Sequence, residues 1–409
     1  MIKRKQIYIP LLIVLVLIAF KIQPFVSSKE LTKEDIVELT EPTKPSQLSE
    51  VKDIVAKYDS ILSSEISESG TVGAAIVITY KNEIALLKCF GIQKAGENNA
   101  INKHTVFRLA SVSKTISGVL AGILSDEGTI EFEDKVVDYI PDFKLKSPGS
   151  TSHITIGNLL SHTSGLVPHA YDNLIEEHVP IDRIMGQLQF VDISAEPGKL
   201  YGYQNVMFSL YDTILSAKTS KNFGSLIKEK VFEPFGMNDA STSYEEYKNS
   251  NNKAFPHYGS NGKFRSLRLN NRYYSTTPAA GVNASISDMS EFLLTLLDDD
   301  SSVINDDIRK LIFTPKVVSP LKRNYLKRWD KVDSKHYSIG WRIIGYKNRK
   351  VAYHGGYVQG YRAEIALCEE EEIGIAFLSN SPNGTGSKAI PTFLNLLFEL
   401  KDKENNPNI

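Results

Sequence analysis

The chain has 409 residues, 42% of them hydrophobic and 10% aromatic, the make-up of a globular protein with room for one large two-lobed domain. Its 47 basic residues stand against 48 acidic ones, a formal charge of −1 at pH 7 with no basic stripe, which excludes an electrostatic case for nucleic-acid binding. Two cysteines, and no C-x-x-C or H-E-x-x-H pattern, exclude a disulfide framework and any legible metal centre.

At the N-terminus, Lys3, Arg4 and Lys5 precede an apolar run from Ile7 to Phe20, followed by a polar stretch through Val26, Ser27, Ser28 and Lys29. A basic region, a short apolar region and small residues beyond it read, over residues 1–28, as a signal peptide or a membrane anchor. The apolar run is short for a spanning helix, which needs about 20 residues. No cysteine follows it, which speaks against a lipoprotein. Both readings export the body of the chain to a periplasmic or extracellular face, the second with membrane anchoring through residues 7–20.

Residues 29–67 read as a linker, with Pro42 and Pro45, and a leading helix from Ser46 to Ile66, capped by Ser46 or Ser49. That helix carries Leu48, Val51, Ile54, Val55, Tyr58, Ile61 and Leu62 at helical spacing. Thr71–Tyr80 and Glu83–Ile92 are strand-like runs joined by Lys81-Asn82, a hairpin signal. The pattern turns helical from Ser113 to Ser125. It is mixed over about 126–274, where short helical stretches are broken by Gly, Pro, Ser and Asn. Ser285 or Ser287 caps a helix to Leu297. Strands then return at Tyr337–Ile344, Lys350–His354, Tyr361–Cys368 and Ile373–Ser379, with Glu369–Glu372 as a solvated turn. A last helix spans Pro391–Leu400, and 401–409 is a polar tail. Cys89 and Cys368 lie in apolar strand-like segments, as small buried hydrophobes do. Strands at both ends of a helical middle predict an α+β sheet lobe with an inserted helical lobe.

Three constellations carry chemistry. Ser111 and Lys114 stand at i and i+3, so on a helix the amine reaches the hydroxyl. A serine needs such a base to become a nucleophile, and a helix N-terminus steadies developing negative charge. Tyr203 and Asn205 offer a phenol able to pass a proton and an amide that both donates and accepts; Tyr201 is a competing phenol. His354-Gly355-Gly356 closes a strand with two residues that let a substrate backbone approach.

The order S-x-x-K, Y-x-N and then a [KH]-[TG]-G trio resembles the serine β-lactamase and penicillin-binding protein superfamily. The linking segments Ile154–Leu166, Pro234-Phe235-Gly236-Met237 and Ala280-Gly281-Val282 before Ser287-Asp288 are similar to its class C β-lactamase-like branch, with D-alanyl-D-alanine carboxypeptidases, D-aminopeptidases and esterases. The resemblance covers about residues 68–400 as the catalytic domain and implies a β-lactamase/transpeptidase-like fold: a five-stranded antiparallel sheet flanked by helices, with a helical lobe beside it. It implies Ser111 as the acylated nucleophile, and Lys114 with Tyr203 as the relay for its proton. Asn205 would hold the substrate's amide side chain, and His354 would stand in the place of the third trio's Lys. The oxyanion hole would be the backbone N–H groups of Ser111 and Tyr357. It implies no cofactor, and it makes the His162 stretch a structural loop rather than a catalytic base.

The trio departs from the Lys-Thr-Gly of penicillin-specific members, leaving one titratable cation and one missing hydroxyl. The expected activity is therefore an exported serine hydrolase acting through an acyl-enzyme on a D-amino-acid peptide, amide or ester, the substrate a small molecule or peptidoglycan-type peptide. The alternatives are a true β-lactamase and, in another class, a non-catalytic penicillin-binding sensor or scaffold.

Overall fold

Eight runs with strand propensity pair into one sheet in the computed structural model, which describes residues 47–260, 262–320, 326, 328–330 and 332–405. The segment at 1–28 and the linker at 29–46 lie outside the described residues, as do 406–409 of the tail. In chain order the strands are β1 (Gly73–Tyr80), β2 (Glu83–Gly91), β3 (Val317–Val318), β4 (Val332–Tyr337), β5 (Arg342–Tyr346), β6 (Arg349–Val358), β7 (Tyr361–Cys368) and β8 (Ile373–Ser379). They lie in the order β2-β1-β8-β7-β6-β5-β4-β3, each pair antiparallel. Lys81-Asn82 and Lys347-Asn348 both have positive φ at their two turn positions, the conformation that matches the strand twist in two-residue hairpins.

The sheet thus has eight strands where five were expected. Part of the difference comes from the stretch read as one strand over Tyr337–Ile344. Gly340, at φ +75°, turns the chain there and splits it into β4 and β5. The strand expected to end at His354 also runs on to Val358, so the His-Gly-Gly trio lies inside β6 rather than at its end.

Five helices matter most for placing the site: α1 (Lys52–Ser69), α2 (Ser113–Asp126), α3 (Asn205–Thr219), α4 (Ile286–Leu297) and α5 (Gly384–Asn405). β1, buried along its whole length, needs cover on both faces, as a central strand of apolar residues does. On one face α1 and α5 pack Tyr58, Leu62, Phe393 and Leu397 against Ile76, Ile344 and Phe377. Tyr58 Oη also donates to the Ala389 carbonyl at 3.0 Å. The leading helix is therefore part of the folded body, which begins by Gln47 rather than at 68. Its start differs too: Gln47–Glu50 form a 3-10 turn and Val51 is the capping position, so Ser49 does not cap it, and Ser46 lies outside the described residues. On the other face lie α2, α3, α4 and the short helices of the middle lobe. Ser285 caps α4 in a reciprocal box with Asp288.

The last helix starts earlier than Pro391 and ends later than Leu400. Asn383 Oδ1 accepts from Thr385 N at 3.1 Å and starts the helix, and Pro391 is carried inside it. Beyond Leu400, Asp402 pairs with Arg349 at 2.9 Å, so the first half of the supposed tail is helical. Cys368 is a core residue of β7, while Cys89 in β2 is partly exposed.

Candidate active site

Ser111 is held by a strained turn. Phe107-Arg108 pairs with Asn283-Ala284 in a short ladder, and Leu109 N donates to the Val282 carbonyl at 3.0 Å, which anchors the chain just before Ser111. Ala110 then adopts φ +48°, a left-handed conformation costing a side-chain-bearing residue about 1–2 kcal/mol. The surrounding ladder holds it there, and strain of this kind gathers at functional sites. Ser111 follows within a 3-10 turn, Ala110–Val112, rather than on the α-helix itself. α2 starts at Ser113, so its positive N-terminal end lies at the serine.

Lys114, in the first turn of α2, is fully buried. Its Nζ donates to Asn205 Oδ1 at 2.7 Å and to the Ala279 carbonyl at 2.9 Å. Burial holds its pKa well below the usual lysine value; Asp172 opposes that shift and the Arg342 guanidinium adds to it. A neutral amine has two hydrogens, and these two acceptors use both, leaving its lone pair free to take a proton. Lys114 does not hydrogen-bond Ser111 directly. That contact belongs to Tyr203, whose Oη donates to Ser111 Oγ at 2.8 Å. The ring of Tyr203 lies beside the amine, with Nζ 4.6 Å from its centroid.

Tyr203 sits on the loop that enters α3, and Asn205 is the first residue of that helix. The competing phenol, Tyr201, accepts instead from Arg342 Nη1 at 3.0 Å. His162 is buried beneath Tyr203, with ring centroids 4.3 Å apart, and its Nδ1 accepts from Gln204 N at 3.2 Å. Burial pushes its pKa well below 6.5, so it is a neutral wall of the site that shares no hydrogen bond with Ser111 among the described residues.

β6 brings the third trio against Ser111. A Cβ on Gly356 would lie 2.4 Å from the Leu109 carbonyl oxygen and 2.9 Å from Ser111 N, so only glycine fits this approach. Tyr357 follows, a residue 58% exposed, with its backbone N–H one residue beyond the contact. His354 is fully buried and turns away from the role of a cation. Its Nδ1 donates to the Gly355 carbonyl at 2.9 Å, which leaves Nε2 to accept from Tyr337 Oη at 3.1 Å. Burial first, and then the Arg342 and Lys114 charges, hold its pKa well below 6.5.

The structure therefore gathers Ser111, Lys114, Tyr203, Asn205 and Gly356 around one point, and it adds two charged groups that the sequence reading misses. Arg342, from β5, has its guanidinium 5.5 Å from the Tyr203 ring centroid and 5.4 Å from that of Tyr337. It is a permanent cation beside a trio that has no charged residue of its own. Asp172 accepts from Asn205 Nδ2 at 2.9 Å and is also bonded by His169 Nδ1 at 2.7 Å. Among the described residues no group of three His, Cys, Asp or Glu side chains is arranged to hold a metal ion.

Residues 51–397 match the family model described as Beta-lactamase. Over 328 residues the chain is 23% identical to Unguisins hydrolase ungD' from Aspergillus campestris, covering 78% of this chain and 59% of that protein. It is 22% identical over 330 residues to Protein flp from Staphylococcus aureus, covering 79% and 62%. The chain thus spans about three fifths of the length of these curated relatives. Among solved structures, the octameric penicillin-binding protein homologue from Pyrococcus abyssi aligns with a TM-score of 0.74 at 22% identity, over 84% of this chain and 77% of that one. That likeness shows the β-lactamase/transpeptidase-like α+β fold.

Proposed function

The chain belongs to the Beta-lactamase family, and from that premise we propose that it is a serine hydrolase working through an acyl-enzyme on Ser111. The observation that carries the reading is the hydrogen bond from Tyr203 to Ser111 Oγ at 2.8 Å, backed by a buried lysine of lowered pKa. As Ser111 Oγ attacks a carbonyl carbon, the phenol turns its hydrogen from Ser111 Oγ to the lone pair of Lys114 and takes the serine's proton in its place. The backbone N–H groups of Ser111 and Tyr357 take the oxyanion that forms, a contribution of about 10²–10³ in rate for one such donor. The same relay returns a proton to the leaving group. Water then attacks the acyl-enzyme by the reverse path and frees Ser111.

The substrate class is a D-amino-acid peptide, amide or ester. Arg342 supports substrates with a carboxylate on the leaving side, because it supplies beside His354 the fixed positive charge that the trio lacks. The basic residues Lys3–Lys5 and the apolar run at 7–20 support export of the body, cleaved or anchored.

The test follows the purified chain with p-nitrophenyl acetate and with a penicillin, reading ester turnover, lactam loss and intact mass. The expected result is ester turnover lost in Ser111→Ala and any acyl adduct mapped to Ser111. Full ester turnover in Ser111→Ala would end the assignment of the nucleophile. Rapid loss of the lactam through Ser111 would move the protein to the β-lactamases.

A further inference from the structure

The stretch of chain at 270–279 touches every element that carries a part of the site. Arg108, buried three residues before Ser111, donates from Nη2 to the Arg272 carbonyl at 2.5 Å and from Nη1 to the Asn270 carbonyl at 3.4 Å. Its guanidinium also lies 4.5 Å from the Tyr274 ring centroid. The stretch then runs onto α2, where the Pro278 carbonyl accepts from Ser117 Oγ at 2.7 Å and the Ala279 carbonyl from Lys114 at 2.9 Å. On the sheet side, the amide of Gln359, two residues beyond Tyr357, lies between the side chains of Asn270 and Arg272.

On the helical side the partner is Glu176. Its Oε1 accepts from Tyr273 Oη at 2.8 Å, and its Oε2 lies 4.0 Å from Arg272 Nη1. Glu176 ends the short Asp172–Glu176 helix, whose first residue holds the Asn205 amide. Arg272 therefore stands between Gln359 at the end of β6 and Glu176 beside the Asn205 helix. Tyr273 adopts φ +69°, a left-handed conformation unfavourable for a residue with a side chain. Strain that surrounding contacts hold in place gathers at functional sites. Burial first, and then the Glu176 bond, push the pKa of the Tyr273 phenol up, which keeps it a donor.

The side of the site is set by what flanks it. His354 and Arg342 mark the leaving side in the reading above, and Gln359 lies past Tyr357 at the opposite end of the trio. Asn205, on the acyl side in that reading, is bonded to the same short helix that ends in Glu176. The stretch thus crosses the acyl end of the site.

We propose that the Glu176–Tyr273–Arg272 bridge is a specificity element that closes the acyl end, so that Ser111 takes acyl groups of acetyl to alanyl size and rejects long ones, the acyl part of a peptidoglycan-type peptide among them. This rests on the acyl-enzyme reading of Ser111 and narrows it. A short acyl group ends before the bridge, while a long one running out past Asn205 has to break it. Glu176 is half-exposed, so the bridge can be cut without emptying the core.

The test compares p-nitrophenyl acetate with p-nitrophenyl hexanoate, which share a leaving group, and reads the ratio of their kcat/KM values. The wild-type chain is expected to favour the acetate by about 10- to 200-fold, the discrimination a closed pocket exerts on an added methylene. Glu176→Ala removes both contacts, and the ratio should fall by about tenfold or more through a gain for the hexanoate. Tyr273→Phe removes the hydrogen bond alone and should move the ratio the same way by less. Glu176→Gln, which keeps an acceptor for Tyr273, should hold most of the wild-type ratio. Because a general loss of folded protein lowers both esters alike, it does not mimic these shifts. A wild-type ratio near one, or a ratio unchanged in Glu176→Ala, overturns the proposal. Ester turnover unchanged in Ser111→Ala would instead overturn the acyl-enzyme reading itself.

Discussion

Gly356 lies so close to Ser111 that a Cβ on it would stand 2.9 Å from the serine's backbone nitrogen, and closer still to the Leu109 carbonyl. Both obstructing atoms are backbone, so neither can swing aside. The glycine therefore sets the spacing between β6 and the nucleophile turn, and with it the gap between the Ser111 and Tyr357 N–H groups.

Gly356→Ala is expected to push that turn away from β6. Overpacking of this kind costs about 1–3 kcal/mol of stability. Displacing an oxyanion donor should lower kcat by about 10²-fold or more. Thermal melting and ester kinetics on the same preparation check both. A variant with unchanged kcat would show that the spacing does not matter to catalysis.

Lys114→Ala and Tyr203→Phe should each lower kcat/KM by about 10²-fold or more, the range for a positioned acid or base. Tyr203 touches Ser111 while Lys114 does not, so in the proposed relay the lysine acts through the tyrosine. The double variant should then lose little more than either single one. Losses that simply multiply would mean that the two residues act separately.

Part of this site is legible in local sequence, and part is not. Ser111 and Lys114 are three residues apart, and Tyr203 and Asn205 two apart, so each pair is visible as a short motif, and it is their order along the chain, with the trio at His354, that singles them out. The α+β fold follows from strand patterns at both ends of a helical middle. Arg342 and Asp172 carry no such local signal. Arg342 meets Tyr201 across 141 positions, and Asp172 meets Asn205 across 33, both through tertiary packing. The turn at Gly340 is hidden for a similar reason: Ile339 and Trp341 around it are buried, so hydrophobicity continues where the strand does not. Likewise, the hydrophobic pattern of α1 shows an amphipathic helix but not that α5 is what covers it.

His354 gives a prediction about stability. It is buried and neutral in the fold, with its pKa held well below the 6.5 of an unfolded histidine. As pH falls below about 6.5, the unfolded chain binds a proton at this position that the folded chain does not, so stability is lost on acidification. His162 acts in the same direction, and Asp288, pushed up to about 6, acts in the opposite direction between about 4 and 6. The difference between wild type and His354→Gln isolates one histidine. The variant's stability deficit at pH 7.5 should shrink by up to about 1.4 kcal/mol per pH unit below 6.5, read from urea midpoints. A deficit constant from pH 7.5 to 5.5 would mean that His354 takes up its proton in the fold as readily as in the unfolded chain.

Arg342 and Asp172 flank Lys114 with opposite charge, and they should move its titration in opposite directions. The relay needs Lys114 neutral, so kcat/KM for a neutral ester should rise through the lysine's lowered pKa as pH increases. Burial sets most of that lowering; Arg342 deepens it and Asp172 reduces it. Arg342→Gln removes the like charge, so the pKa rises and the acidic limb of the profile moves to higher pH. Asp172→Asn removes the opposite charge, so the pKa falls further and the limb moves to lower pH. A neutral ester is required, because an ionic substrate would respond to either charge directly. Limbs that move in the same direction, or that stay fixed in both variants, would show that the group titrating in the profile is not Lys114. Opposite shifts would tie the rate-determining proton to the buried amine.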